Sequence, residues 1–442
     1  MEKTKHGIRV TYFYSACVGI ASPDVRVLCD PWFTEGIYDG SWFHYPKLEN
    51  PLEVIGEVDF VYVSHIHPDH YDPCFLRLYL ERYPTARVII TSFVPNYLSM
   101  KMKADGIAHE VVDERTVGDT HFNLVLSGCG PPSSIDSALV MRCGSRSVVN
   151  FNDNPGGVEQ MAFIKSLCGE IDIALLPYAG AGAWPQTYFD AGDELRERAE
   201  QKQHSAFERY RRIASTLDPK VRIPFAGKYV LGGHLHELNA SRGVPDAVEV
   251  LDFDSQAVVL ADGGQAWIDT ETLKPSSART EAYDGAEVAT FIRSLANQAM
   301  DYEREFGDFD LGEVPFDEIL NSAYRHAHER SICEIDWFFC IELSEGWFVF
   351  NANRNQFQPL MLDEVANVSP RSELRIDLRY LFGLLTFVYH WNNAEIGSQY
   401  QTRRFPEEYR AEVQGFLNFF HVPRSEQSGY LASRLARANR AD

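Results

Sequence analysis

No hydrophobic run in the 442 residues approaches the roughly 18 needed for a membrane-crossing helix. The first residues, MEKTKHGIRVTYFYSACVGIASPDVRV, carry Arg9, Asp24 and Arg26 through their apolar part, which is unlike a signal peptide. Basic side chains are the minority: 41 Lys and Arg face 63 Asp and Glu, and the net charge of −22 opposes attraction to nucleic acid or anionic lipid. The eight cysteines form no CxxC and no other tight pairing, so neither a disulfide framework nor a structural zinc knuckle is supported. A CxH followed by CxxH, the ligand spacing of a Rieske iron–sulfur centre, is also missing. Repeats and low-complexity tracts are missing as well. These absences lead us to expect a reduced, cytoplasmic chain with no nucleic-acid or membrane partner, acting on a small molecule.

With 45% hydrophobic and 13% aromatic residues, the chain can bury a substantial core. Apolar runs separated by turn signals predict strands at 8–16, 26–29, 59–63 and 87–91, with a helix over 73–83 that stops before Pro84. A second set predicts strands at 122–127, 138–143, 147–151 and 171–176, and helices at 158–167 and 190–217. After 258–268 the polar, turn-rich LKPSSARTEAYDG, 273–285, reads as a linker. We therefore expect one domain over 1–272 and a second over 286–442. The second should hold helices at 286–305 and 315–330, a hairpin turning at 344–346, and a helix with Leu378, Leu381, Phe382, Leu385 and Val388 on one face.

The chemistry concentrates in VYVSHIHPDHYD, 61–72, where a hydrophobic strand runs into three histidines and two aspartates. In extended backbone His65 and His67 point to the same side and can share one metal ion. Pro68 then turns the chain, and Asp69 and His70 offer an oxygen and a nitrogen to a second ion or to a bound water. Imidazole and carboxylate ligands together suit Zn, Fe or Mn, so one or two divalent ions are expected as cofactor.

This HxHxDH resembles the signature of the metallo-β-lactamase superfamily. DPWFTEGIYDGSWF, LLPYAGAGAWPQTY and YHWNNAEIGSQY look like its branch containing L-ascorbate-6-phosphate lactonase, N-acylphosphatidylethanolamine phospholipase D and the non-Rieske part of CMP-N-acetylneuraminate hydroxylase. The resemblance implies an α+β chain, with an αββα sandwich followed by a C-terminal mixed helix and sheet domain. It implies that Asp30 supports a ligating imidazole and that Asp153 bridges metals. It also implies a last histidine, His234 or His236, with His236 slightly preferred, and places Trp32, Trp42, Tyr178 and Trp184 on loops around the metal cleft. One departure stands out. Members with two full sites carry a histidine ahead of the strand that here begins DSALV, where this chain has only Cys129 or Asp136 to offer.

An ion of this kind makes hydroxide from bound water near neutral pH, and Asp69 is placed to orient that water and shuttle its proton. The expected activity is hydrolysis of a small polar, sugar-like substrate, phosphorylated or nucleotide-linked. The alternative is a diiron oxygenase that would need an external redox partner.

Overall fold

The computed structural model describes residues 1–128, 136–307, 310–355 and 359–438. Seven strands form a first sheet in the order Ala266–Asp269, Arg9–Tyr14, Cys17–Ala21, Arg26–Cys29, Phe60–Tyr62, Arg87–Ile90, His109–Val111. Six form a second: Val221–Phe225, Ile173–Pro177, Arg146–Asn150, Ser137–Cys143, Thr120–Leu126, Glu114–Val117. The faces that meet bury one apolar layer, in which Val10, Val27, Phe60 and Ile89 of the first sheet pack with Phe122, Leu139, Ile173 and Ile223 of the second. Because side-chain direction alternates along a strand, Leu28, Val61 and Val88 point the opposite way. There they pack with helices Pro73–Arg82 and Tyr97–Ala104. Helices Val158–Cys168 and Asp193–Leu217 cover the outer face of the second sheet. The architecture is the expected αββα sandwich.

Most predicted elements recur with ends moved by one to three residues. The short helix Tyr97–Ala104 and the strands Cys17–Ala21, His109–Val111, Glu114–Val117 and Val221–Phe225 were not foreseen, since each is too brief or too mixed to show a period. Within the first sheet, Arg26–Cys29, Phe60–Tyr62 and Arg87–Ile90 run parallel. Their C-terminal ends therefore lie side by side, and the loops that leave them carry Asp30 and 64–70.

Residues beyond the expected linker build a third sheet of five strands, 338–405, with helix Phe316–Arg330 and helix Leu378–Leu385 against it. The division at 272 and 286 follows the sheets, and we retain it as a proposal about chain organisation. The hydrophobic core does not follow it: Tyr14, Trp32, Tyr38, Trp42, Tyr229 and Leu231 belong to the same buried cluster as Met300, Ile319, Tyr380 and Trp391. The 273–285 segment is also tied down. Arg279 pairs with Asp246, and Lys228 lies 3.8 Å from the centre of the Tyr283 ring. The two parts thus fold against each other over a shared aromatic interior.

One polar pair in that interior titrates. Tyr38 and Asp39 both adopt left-handed backbone (φ 55° and 62°), a costly conformation for residues with side chains, and the Asp39 carboxylate accepts a hydrogen bond from Tyr380 Oη at 2.6 Å. Burial pushes the Asp39 carboxyl up to about 7, against the pull of that hydrogen bond. A carboxyl held above its unfolded value favours folding while protonated, and that contribution is lost as pH rises from about 4 through about 7. Asp39→Asn keeps the acceptor and removes the titration. It should raise the melting temperature relative to wild type at pH 8 by several degrees, with a smaller gain at pH 5, in thermal unfolding followed by circular dichroism.

Candidate metal centre

Phe60–Tyr62 hands the chain to Ser64 and His65 at the buried end of the parallel strands. Asp30, fully buried with φ 44°, fixes the start of the histidine loop. Its Oδ1 accepts from the Ser64 amide at 2.7 Å, and its Oδ2 lies 3.0 Å from His70 Nδ1. Ser64 Oγ in turn lies 2.9 Å from His65 Nδ1 and 3.2 Å from His70 Nδ1. After Pro68 the chain reverses, with the His70 and Tyr71 amides both donating to the His67 carbonyl. Asp72 then caps helix Pro73–Arg82 through the Phe75 amide and accepts from the amides of Phe33 and Thr34, so the loop after Asp30 is anchored to the loop of the histidines.

His65 Nε2 faces His67 Nδ1 at 2.9 Å, as the two-residue period requires. Single ligand atoms from His65, His70 and Asp153 lie within 4.8 Å of one another. His70 Nε2 is buried with no hydrogen-bond partner, and the carboxylates of Asp153 and Asp69 stand 3.4 and 3.5 Å away. An orphaned imidazole nitrogen facing two carboxylates, its other nitrogen already turned to Asp30, is the donor set a divalent ion takes, and these residues fit one. The electrostatics agree. Burial, then the neighbouring His70 and His67, hold the His65 imidazole well below its usual range and neutral. Burial pulls His70 the same way, but Asp153, Asp69 and Asp30 outweigh it and hold that imidazole well above its usual range. A cation is attracted to this spot, whether a proton or a metal.

The remaining expected site residues divide. Asp69 lies beside the cluster, with its Oδ1 accepting from Tyr38 Oη at 2.5 Å. Asp136 stands 3.7 Å from His65 Nδ1, with its carboxyl pushed up to about 7 by burial and by Asp153. Cys129 lies outside the described residues. The structure does not bring His234 or His236 to the cluster. Both sit in the 3-10 helix Gly233–Ser241, where His236 Nδ1 faces the Gly233 carbonyl at 3.0 Å and the exposed His234 ring lies 6.5 Å from that of Tyr302.

The expected aromatic rim also needs correction. Trp32 is 1% exposed, packed on His44 with its indole donating to the Thr34 carbonyl, because its loop turns inward under the Asp72 anchor. Tyr178 is buried and lines a separate pocket with Asp262 and Arg279. Trp184 is half-buried and offers only its carbonyl, to Lys202. Trp42 does line the cleft, stacked on Tyr229 with ring centres 3.4 Å apart. That cleft, about 450 Å³, is lined by Asp69, Asp153, Arg209 and Lys228 as well.

Sequence reasoning missed two side chains at the centre. Tyr38 holds Asp69, and Asn392 Nδ2, from the third-sheet part of the chain, lies 3.1 Å from His67 Nε2. Both fall inside segments whose family likeness was visible, DPWFTEGIYDGSWF and YHWNNAEIGSQY, but neither residue type announces a role there.

Residues 9–122, which hold Asp30 and the whole HxHxDH motif, match the family described as beta-lactamase superfamily domain. Relatives include a protein of Mycolicibacterium smegmatis named as a Rieske 2Fe-2S iron–sulfur protein. It is 28% identical over 247 residues, covering 53% of this chain and 46% of that protein. The cytidine monophosphate-N-acetylneuraminic acid hydroxylase of Asterias rubens is 25% identical over 264 residues, covering 55% of this chain and 38% of that one. The chain spans about half the length, or less, of these curated relatives. Among solved structures, CmlA, a diiron β-hydroxylase from Streptomyces venezuelae, superposes with a TM-score of 0.37 at 16% identity, over 59% of this chain and 54% of its own. An isothiocyanate hydrolase from Delia radicum gut bacteria does so with a TM-score of 0.40 at 14% identity, over 58% and 97%. No helix among the described residues is long and apolar enough to cross a membrane.

Asp30→Asn should weaken metal binding by about 10- to 100-fold, because the carboxylate that orients His70 is gone while the metal-facing atoms stay. Competition with a chelator measures it; unchanged affinity in a folded variant would refute the role given to Asp30.

Proposed function

We propose that the protein is a metal-dependent hydrolase that cleaves an ester, lactone or phosphodiester bond in a small polar, anionic, sugar-like substrate. The observation that carries this is the convergence of His65, His70 and Asp153 ligand atoms within 4.8 Å at the edge of a cleft that Asp69 also lines. His65, His67, His70 and Asp153 would hold the ion, with Asp69 at its border. An ion so bound acidifies water and polarises the oxygen of the bond to be broken.

The chain's own residues supply the rest. Asp69 is fixed by Tyr38 Oη on one oxygen, which leaves Oδ2 toward the cleft and His70. That oxygen is placed to accept the proton of an attacking water and return it to the leaving group. Asp30 keeps His70 in one orientation, and Asn392 does the same for His67 from the far side of the ring. The buried, mutually stacked rings of Trp42 and Tyr229 brace the apolar wall of the cleft, with the Arg242 guanidinium over the Tyr229 ring.

A second reading, a diiron oxygenase, is favoured by the relatives named as hydroxylases and by a histidine and carboxylate donor set that suits iron. Electrons would then have to come from a separate donor, because no CxH and CxxH pair is present in this sequence.

Asp69→Asn should retain bound metal and lose activity by roughly 10²- to 10⁴-fold, the usual range for a lost general base. His67→Ala should lose both together, read as metal content and turnover on a panel of sugar phosphates, lactones and nucleotide-linked sugars. The same panel in strictly anaerobic buffer separates the readings. Undiminished turnover supports hydrolysis; turnover that stops without dioxygen and returns with dioxygen and a reductant rejects it.

A further inference from the structure

Three cations lie on or behind the cleft wall, and among the described residues none of them forms an ion pair. Arg209 lines it directly. Its guanidinium donates to the Ala179 carbonyl, and its Nε is buried with no partner. Lys202 lies behind the wall at Gly180, with Nζ donating to the carbonyls of Trp184 at 2.7 Å and Gly182 at 3.3 Å. Arg242 is only 8% exposed. It sits 4.3 Å from the centre of the Tyr229 ring, on the cleft wall, and its Nε and Nη1 have no hydrogen-bond partner. Among the described residues no carboxylate forms an ion pair with any of the three, in a chain that has 63 acidic side chains to offer. The acid that faces Arg209 is Asp153, which the metal centre already uses.

Buried charges are ordinarily paired, since desolvating an unpaired ion costs several kcal/mol. Here two of the cations also oppose each other. Burial and then the Arg242 guanidinium push the Lys202 ammonium down to about 7. Mutually repelling cations without an ion pair are held where folding alone does not favour them, and an anion from outside the chain would relieve them.

We propose that Lys202, Arg209 and Arg242 form an oxyanion subsite that takes a phosphate group of the substrate, beside the centre where the bond is broken. Phosphate is favoured over carboxylate because a dianion balances more of three cations, and because guanidinium forks match its oxygens in pairs. The subsite rests on the hydrolase reading only for its place in catalysis. Its ligand is argued from charge and burial alone.

Calorimetric titration of the full chain with inorganic phosphate, in phosphate-free zwitterionic buffer, tests it apart from turnover. Wild type and His67→Ala should both bind phosphate. Lys202→Gln and Arg242→Gln should each bind at least tenfold more weakly, and acetate should bind wild type at least tenfold more weakly than phosphate does. Both charge variants should melt no lower than wild type without phosphate, because each removes one of two repelling charges. Should either fail to fold, Arg242→Lys keeps the charge and loses the fork, and should still bind several-fold more weakly. Equal phosphate affinity in the folded charge variants, equal binding of acetate, or loss of binding in His67→Ala alone would overturn the subsite. Each would leave the hydrolase reading standing, just as absence of hydrolysis would leave the subsite standing.

Discussion

The site depends on one fully buried carboxylate, Asp30, at the end of a parallel strand. It reaches across the sheet edge to the Ser64 amide and the His70 imidazole. A charge in that position is tolerated only because both oxygens are used. Its left-handed backbone turns the chain sharply into the loop that Asp72 then anchors. Strand order, loop path and imidazole orientation are thus settled together, and the ligand atoms of His65, His70 and Asp153 meet at the one place where these constraints coincide.

The legible part of the sequence was local. The apolar runs of 59–63 and 87–91 between turn signals marked strands, which the fold pairs in parallel, and the two-residue spacing of His65 and His67 gave converging nitrogens. Asp30 and Asp153 were identifiable because they follow strands in a recognisable order. His234 and His236 were not separable from ligands by spacing alone. A short 3-10 helix turns them away from the cluster, and no periodic signal marks so short a turn. Trp32 illustrates the same limit, since an indole beside a metal loop can face the cleft or the core, and the Asp72 anchor decides it.

The rest was hidden because it is long-range. Asn392 meets His67 across 325 residues of chain, Tyr380 meets Asp39 across 341, and Gln399 donates to the carbonyls of Tyr38 and Asp39. The third-sheet part of the chain therefore helps to form the site instead of standing beside it, which the shared aromatic core explains. Arg209 and Lys202 lie on a long polar helix where an arginine or lysine reads as solvated surface. Only the fold shows that Arg209 lines the cleft and that Lys202 turns its ammonium to the Gly182 and Trp184 carbonyls behind the wall.

The central claim is that this constellation is a metal centre held by His65, His70 and Asp153, with His67 beside them. Crystals grown with saturating zinc or manganese, with diffraction recorded on either side of the metal absorption edge, test it most directly. The account predicts an anomalous peak about 2 Å from ligand atoms of those residues, the usual metal–nitrogen and metal–oxygen distance. A peak at His234 and His236 instead, or none at the cluster under saturating metal, would contradict it.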